Sequence, residues 1–362
     1  MKPRFVSALA AGLVLLSLLS GCKTTSEDPP VTPDPTTTVT QSVTQETTPT
    51  TEAPAPTEPA VDTASYNRLT GLYDNAAGAN ARAVGVMVGN NTRSRPQIGL
   101  AAADMFVEIE TEGGITRIMA IFSDAARIPS QLCPIRSARS PFALMAQSLD
   151  LIYVHAGGSQ AGLRTVDNLR IDHINALNSH GSTFWRDSAM LSARGTEYSL
   201  STSGSNLKSR IGQLGLRQTS DRAPFIFGET VSGRDCTGLQ ITFSGSQTNS
   251  FLYDAESGHY KKSVGRLNKP QPHVTTDGTQ IEVSNILVMY DTKYAENSET
   301  INFNLSSGGG ILCSGGKVRD ITWSRNAYGL TVSENGQPAT FLPGKTYICV
   351  VVSANRSSTV IQ

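Results

Sequence analysis

Leu151-Ile152-Tyr153-Val154-His155-Ala156-Gly157-Gly158-Ser159 is the stretch on which the fold turns. Its first five residues, rich in branched and aromatic side chains, read as a strand; a glycine pair follows, and Gln160 to Leu169 then carries helical spacing. A strand that turns through glycines into a helix is the building unit of α/β architecture. Upstream, Ser140 to Leu149 also has helical spacing, Arg117 to Phe122 reads as a strand, and so does Phe106-Val107-Glu108-Ile109-Glu110. Val84-Gly85-Val86-Met87-Val88 reads as a buried strand ending in the turn Gly89-Asn90-Asn91, and Gly99 to Asp104 as a short helix. Residues 65–225 are therefore expected to form an α/β-type domain with a mixed central sheet.

Downstream the texture changes. Short alternating runs recur at Leu239 to Phe243, Phe251 to Asp254, Ile281 to Tyr290, Thr300 to Leu305, Asp320 to Ser324 and Thr346 to Val352. Asp277-Gly278, Asn335-Gly336 and Pro343-Gly344 supply turns between them. This predicts a mainly β domain over residues 226–362, and α+β for the chain as a whole.

The N-terminus carries an address. Lys2 and Arg4 precede an apolar run from Phe5 to Leu19, which leads through Leu18-Leu19-Ser20-Gly21 into Cys22. That order is the pattern of a bacterial lipoprotein signal over residues 1–21, with thioether and amide acylation, palmitate included, at Cys22. The run is short for a transmembrane helix. Residues 22–64 are mainly Thr and Pro with scattered acids, so they cannot bury a core. They read as a disordered tether reaching up to roughly 130 Å when extended. The expected location is the extracytoplasmic face of the cell membrane, held by lipid.

Charge excludes one class of partner. The chain is formally neutral, residues 1–21 carry two positive charges, and residues 22–64 carry one lysine against seven acids, which leaves about +4 on the remainder. That is too little for a nucleic-acid partner. Residues 65–207 hold twelve arginines and no lysine, a bias towards planar pairing with carboxylate or phosphate. Eleven acids share the span, so internal Arg–acid pairs explain the same bias. Cys133, Cys236, Cys313 and Cys349 lack zinc-site spacing, and Cys313 with Cys349 is the expected disulfide.

The densest chemistry lies at Glu108, Glu110 and Glu112-Gly113-Gly114-Ile115-Thr116-Arg117, followed by Cys133-Pro134-Ile135-Arg136-Ser137-Ala138-Arg139-Ser140. Strand alternation puts the three carboxylates on one face, where they require arginines or a divalent cation to answer them. If a helix begins near Arg136 and Arg139, both reach one side of its positively polarised N-terminus, an arrangement suited to phosphate, pyrophosphate or carboxylate. His155 stands where a strand meets glycines and could serve as base or ligand with Asp150 or Asp172; Ser159 lies in the same turn. Ligand-binding candidates are thus Arg117, Arg136, Arg139, His155, Ser159, Glu108 and Glu112. No P-loop, HExxH, dinucleotide fingerprint or GxSxG motif is present. Tyr153, Trp185, Tyr198, Phe225, Phe227, Trp323 and Tyr347 read as packing residues, with sugar stacking an alternative for Trp323 and Tyr347.

Asn67-Arg68-Leu69-Thr70-Gly71-Leu72, Arg95-Pro96-Gln97-Ile98-Gly99-Leu100 with Ala103-Asp104, Glu112 to Phe122, Ile135 to Arg139 and Ile152 to Ser159 together resemble the YerB-like bacterial lipoproteins. Tyr260 to Arg266, Pro272-His273-Val274, Asn285-Ile286-Leu287-Val288, Thr322-Trp323 and Pro343-Gly344-Lys345-Thr346 resemble that family's second domain. Two departures stand out: Cys133 precedes Pro134 where the family pattern has Gly, and Thr follows Val274 where Asp is usual. The first argues against a general role for Cys133, the second against a metal in the C-terminal domain. The resemblance implies a two-domain, membrane-anchored envelope protein and no established reaction. The reading is a lipoprotein that binds an anionic cell-wall ligand or an envelope protein, with no cofactor. Its rival is an enzyme of phosphorylated lipid or glycan, in which Arg117, Arg136 and Arg139 clamp phosphate and Glu108 or Glu112 holds a divalent cation.

Overall fold

The apolar runs of the N-terminal half become β1 (Val84–Gly89), β2 (Met105–Glu110), β3 (Thr116–Phe122), β4 (Ile152–His155) and β5 (His173–Asn175). The computed structural model describes residues 63–179, 182–229 and 231–362; the signal, Cys22 and the tether as far as residue 62 lie outside the described residues. Every residue of β1 to β4 is buried, the polar Glu108, Glu110, Thr116, Arg117 and His155 included. β1 is flanked by β3, antiparallel, and β4, parallel, and β5 continues parallel beside β4. The sheet is mixed, as the alternation of strands and helices predicts.

Helices α1 (Ser140–Ser148) and α2 (Gln160–Asn168) follow the helical spacing closely. Pro141 sits in the first turn of α1, where its missing N–H leaves no gap in the ladder. The Ser159 hydroxyl accepts from the Gly162 N–H and so caps α2. Gly99 to Asp104 is shorter than expected: only a 3-10 turn, Leu100–Ala102, forms there.

The C-terminal half is almost all strand. Thr346–Val352 lies between β2 and Asn285–Asp291, parallel to both. Beyond them run Ser307–Ser314, Lys317–Asn326 and Gly329–Glu334, antiparallel in turn. A single twelve-stranded sheet therefore passes through both sequence segments. The α/β-type part and the mainly β part of this α+β fold share one backbone ladder.

A six-stranded sheet built on Gly238–Thr242, Thr248–Asp254 and His259–Val264 covers one face of the large sheet. Phe106, Ile118 and Val88 pack there with Phe251, Tyr260 and Tyr347. On the opposite face Val107, Ile109 and Met119 pack with Phe142 and Met145 of α1 and with Phe225 and Phe341. Phe225 and Phe341 stack with ring centroids 4.0 Å apart.

The expected Cys313–Cys349 disulfide is not formed, and strand order explains why. Cys313 sits opposite Ile286 and Cys349 opposite Val288, on the two sides of Asn285–Asp291. Two strand spacings, about 9–10 Å, exceed what a disulfide spans. The four cysteines among the described residues are all buried free thiols. Trp323 is buried and its indole N–H donates to the Gly309 carbonyl at 3.1 Å, and Tyr347 is fully buried, so neither stacks on a sugar.

Candidate functional site

Parallel strands β1 and β4 finish at the same end of the sheet, with Gly89 and His155. α1 and α2 begin at that end, joined by a bridge between Ala138 and Gly158. Ligands of open α/β sheets gather there, because helix N-termini and loop amides converge on the carboxyl ends of the strands. β3 runs the other way, so Arg117 near its start lies beside Gly89 and faces the same crevice.

Glu112 is the hub. It lies past the end of β2, in a turn whose Gly113 and Gly114 adopt φ of 73° and 70°. β2 ends at Glu110, so strand alternation no longer governs Glu112, and the three carboxylates do not share a side as alternation predicts. Each has its own cation: Lys262 for Glu108, Lys293 for Glu110, and Arg117 with Arg139 for Glu112. Arg139 Nε donates to Glu112 Oε2 at 2.9 Å while its Nη2 bonds Oε1, a bidentate pair. Arg117 Nη2 donates to the same Oε1 at 3.2 Å and Nη1 to the Ser137 carbonyl at 2.9 Å.

Positive charge is in excess at this hub. Burial first, and then the neighbouring Arg139, push the Arg117 guanidinium down to about 10. Burial pushes the Glu112 carboxyl up, but Arg139 and Arg117 more than reverse it and hold the group below the usual range. The Tyr153 hydroxyl, buried beside Arg117 and the Arg139 backbone, has no hydrogen bond of normal geometry and keeps its proton to unusually high pH through burial. Two guanidinium groups on one carboxylate and a spare phenol donor thus lie beside the start of α1, where the Ser140 hydroxyl donates to the Glu296 carboxylate.

The other candidates separate. Arg136 and Arg139 do not ride on a helix: Arg139 is the extended N-cap of α1, and Arg136 precedes it in extended chain bonded to β1. Arg136 pairs with Glu197, donates to the Glu197 carbonyl at 2.9 Å, and lies 5.0 Å from the Tyr198 ring centroid. His155 does not pair with Asp150 or Asp172, which bind Arg82 instead. Its Nδ1 lies 2.8 Å from the Gly157 carbonyl and its Nε2 2.9 Å from His173 Nδ1. Burial lowers it to about 4, so neutral imidazole donates from Nδ1 and accepts at Nε2. Ser159 is an N-cap. His155 and Ser159 therefore shape the turn and stand outside the arginine hub.

Glu108 belongs to a buried polar ring that the sequence reading missed. Its Oε1 accepts from Asn90 at 2.8 Å and Thr116 at 2.6 Å; its Oε2 accepts from Asn249 at 2.6 Å and Tyr347 at 2.5 Å. Lys262 Nζ, fully buried, lies 3.9 Å from Oε2 and donates to His273 Nδ1 at 2.8 Å. His273 Nε2 donates to Gln97 Oε1 at 2.9 Å, and Gln97 lies 3.5 Å from Asn90, closing the ring. With all four lone-pair directions occupied, Glu108 has none to offer a metal. One signal was legible: Lys262 lies two residues from the buried Tyr260 in a strand, so alternation aims it inward.

A cavity of about 950 Å³ opens at the opposite end of the sheet, beside Val84 and Ile152 where β1 and β4 begin. Seven of its nineteen lining residues are alanine; of its charged residues Arg82, Arg127 and Asp74 are committed to ion pairs, and Asp124 and Lys208 line it as well. Volume and chemistry thus point to different ends. Arg117 and Arg139 are paired too, but there two cations share one carboxylate, whereas Arg82 and Arg127 each have two carboxylates.

Comparison with known proteins accords with this architecture. Residues 69–217 match the N-terminal domain of a protein family of unknown function, DUF3048, and residues 239–348 match its C-terminal domain. The chain is 28% identical over 297 residues to the Bacillus subtilis (strain 168) protein named "Putative lipoprotein YerB", covering 80% of this chain and 87% of that one. The crystal structure of YerB from Bacillus subtilis superimposes with a TM-score of 0.71 at 25% identity, covering 82% of this chain and 98% of that one. With both of its domains present in order on one continuous sheet, the chain belongs to the DUF3048 family.

Proposed function

We propose that this protein is a lipid-anchored binding protein of the cell envelope, which holds an anionic ligand on the extracytoplasmic face of the membrane at Arg117 and Arg139. The anchor half of the reading rests on the order Lys2, Arg4, apolar run, Leu18-Leu19-Ser20-Gly21-Cys22, and on a relative whose name includes the word lipoprotein. The binding half rests on one observation: two largely buried guanidinium groups share a single carboxylate where two helices begin. Phosphate, pyrophosphate or a cell-wall carboxylate would complete the charge balance. Glu112 holds the arginines apart and oriented until such an anion arrives.

Thermal unfolding and calorimetry of the full chain in detergent test this with inorganic pyrophosphate, a polyprenyl phosphate, a teichoic-acid fragment and a muropeptide. At least one should raise the unfolding temperature, and Arg139→Ala should abolish the rise while keeping its own cooperative transition. A rise that survives Arg139→Ala, or none with any ligand, would sink the anion reading.

A further inference from the structure

Cys236 and Cys313 face each other with Sγ atoms 3.6 Å apart, both fully buried. Their backbones are fixed independently. Cys313 pairs across the ladder with Val318, and the short strand Arg234–Asp235 pairs with Val318 and Lys317 on that strand's other edge. The Cys236 N–H donates to the Gly316 carbonyl at 2.8 Å, and the Tyr260 hydroxyl donates to the Cys236 carbonyl at 3.1 Å. Closing a bond of about 2.05 Å from this contact asks the two sulfurs to approach by about 1.5 Å. Hydrogen bonding between the two sulfurs lowers Cys236, whereas burial raises Cys313.

We propose that Cys236 and Cys313 form a disulfide that ties the start of the C-terminal segment to the large sheet. The proposal rests on the extracytoplasmic half of the reading above for its oxidising surroundings. The oxidant is a disulfide, small-molecule or protein-borne. The Cys236 thiolate attacks it, one oxidant sulfur leaves as thiolate, and a mixed disulfide forms. The deprotonated Cys313 then attacks Cys236 Sγ and releases the second oxidant thiolate. Two protein thiols thus lose two electrons and two protons, and one oxidant disulfide becomes two thiols. Because both sulfurs are buried, the exchange occurs while the chain folds, before Arg234–Asp235 docks on its partner strand. The bridge would close a loop of 77 residues that contains most of the six-stranded sheet.

The test has two arms on the full chain. In the first, reduced, denatured protein is refolded with oxidised glutathione, alkylated and mapped by mass spectrometry without reduction. A peptide linking Cys236 to Cys313, with Cys133 and Cys349 alkylated, is expected. All four cysteines alkylated, or any other linkage as the main product, overturns the proposal. Cys313→Ser and Cys236→Ser should each unfold roughly 5–10 °C below the parent without reductant, and the gap should close when dithiothreitol is added. A gap that persists in reductant reflects packing and counts against the bridge. In the second arm, protein drawn from cells is alkylated before lysis. Free thiols there, beside a clean Cys236–Cys313 link on refolding, leave the pairing standing and overturn the extracytoplasmic reading.

Discussion

Lys262 Nζ donates to His273 Nδ1 across 2.8 Å, and neither residue is exposed to solvent. A donor ammonium requires a neutral acceptor ring, and burial, followed by the charges of Lys262 and Arg95, holds His273 well below its usual value. Burial also lowers Lys262, to about 8, against the opposing pull of Glu108. The ring that contains them stitches the loops around β1 and β2 to the six-stranded sheet. It is the polar counterpart of the shared backbone ladder.

Removing one partner of that ring should cost more than removing two. Lys262→Met leaves Glu108 buried with its nearest cation gone, a loss of about 3 kcal/mol in urea unfolding at neutral pH. Lys262→Met combined with Glu108→Gln removes both charges and should lie closer to the parent. If the double variant is as unstable as the sum of the singles, the two charges are not coupled.

Acid should weaken the fold before its carboxylates titrate. His155 takes its proton near pH 4 in the folded chain and near 6.5 when unfolded. Between those values the unfolded chain holds more protons, so stability falls as the pH drops through this window, by about 3 kcal/mol for His155 alone. His273 acts in the same direction. Urea midpoints followed from neutral to mildly acidic pH should show this slope, and His155→Gln should flatten it. A flat parent profile would mean that the buried imidazoles are not held neutral.

Glu112→Gln should separate binding from stability. The neutral amide stops competing with an incoming anion, so affinity for pyrophosphate should rise roughly fivefold at low salt. Arg117 loses its only carboxylate, so the unliganded protein should lose about 1–2 kcal/mol. Calorimetry and unfolding on the same sample read both. Weaker pyrophosphate binding would instead make Glu112 a part of the anion's own scaffold.

Gly310→Ala should be among the most damaging single-methyl additions. The added Cβ would lie 2.1 Å from the Val288 carbonyl oxygen, a backbone atom that cannot yield without breaking the ladder between Ser307–Ser314 and Asn285–Asp291. A loss above about 3 kcal/mol is expected. At Gly309 the nearest atoms are 3.9 Å away, so Gly309→Ala serves as the control and should cost under about 1 kcal/mol. Equal melting temperatures for the two variants would refute the argument.

Local signals account for much of what the sequence yields. β3, β4, α1 and α2 fall within a residue or two of their runs because branched residues, glycine punctuation and helical spacing act over a few residues. The Arg117–Glu112 pair was legible because only five residues and a glycine turn separate them, whereas Arg139 lies 27 residues from Glu112 and only the fold brings it there. The three-carboxylate face was misread because alternation holds only while a strand lasts, and β2 stops at Glu110. The Cys313–Cys349 pairing was misread because residue spacing says nothing of which strand lies between two others.

By itself, the sequence determined the strand and helix inventory, the arginine-rich chemistry near α1 and the lipoprotein-type N-terminus, since each is written in neighbouring residues. Only the tertiary structure decided that Thr346–Val352 lies beside β2, that Tyr347 and Asn249 reach Glu108, and that Cys236 meets Cys313. Those partners lie 239, 141 and 77 residues apart in the hydrogen bonds concerned. Contacts of that separation are selected by the burial of whole sheets, which no local pattern encodes.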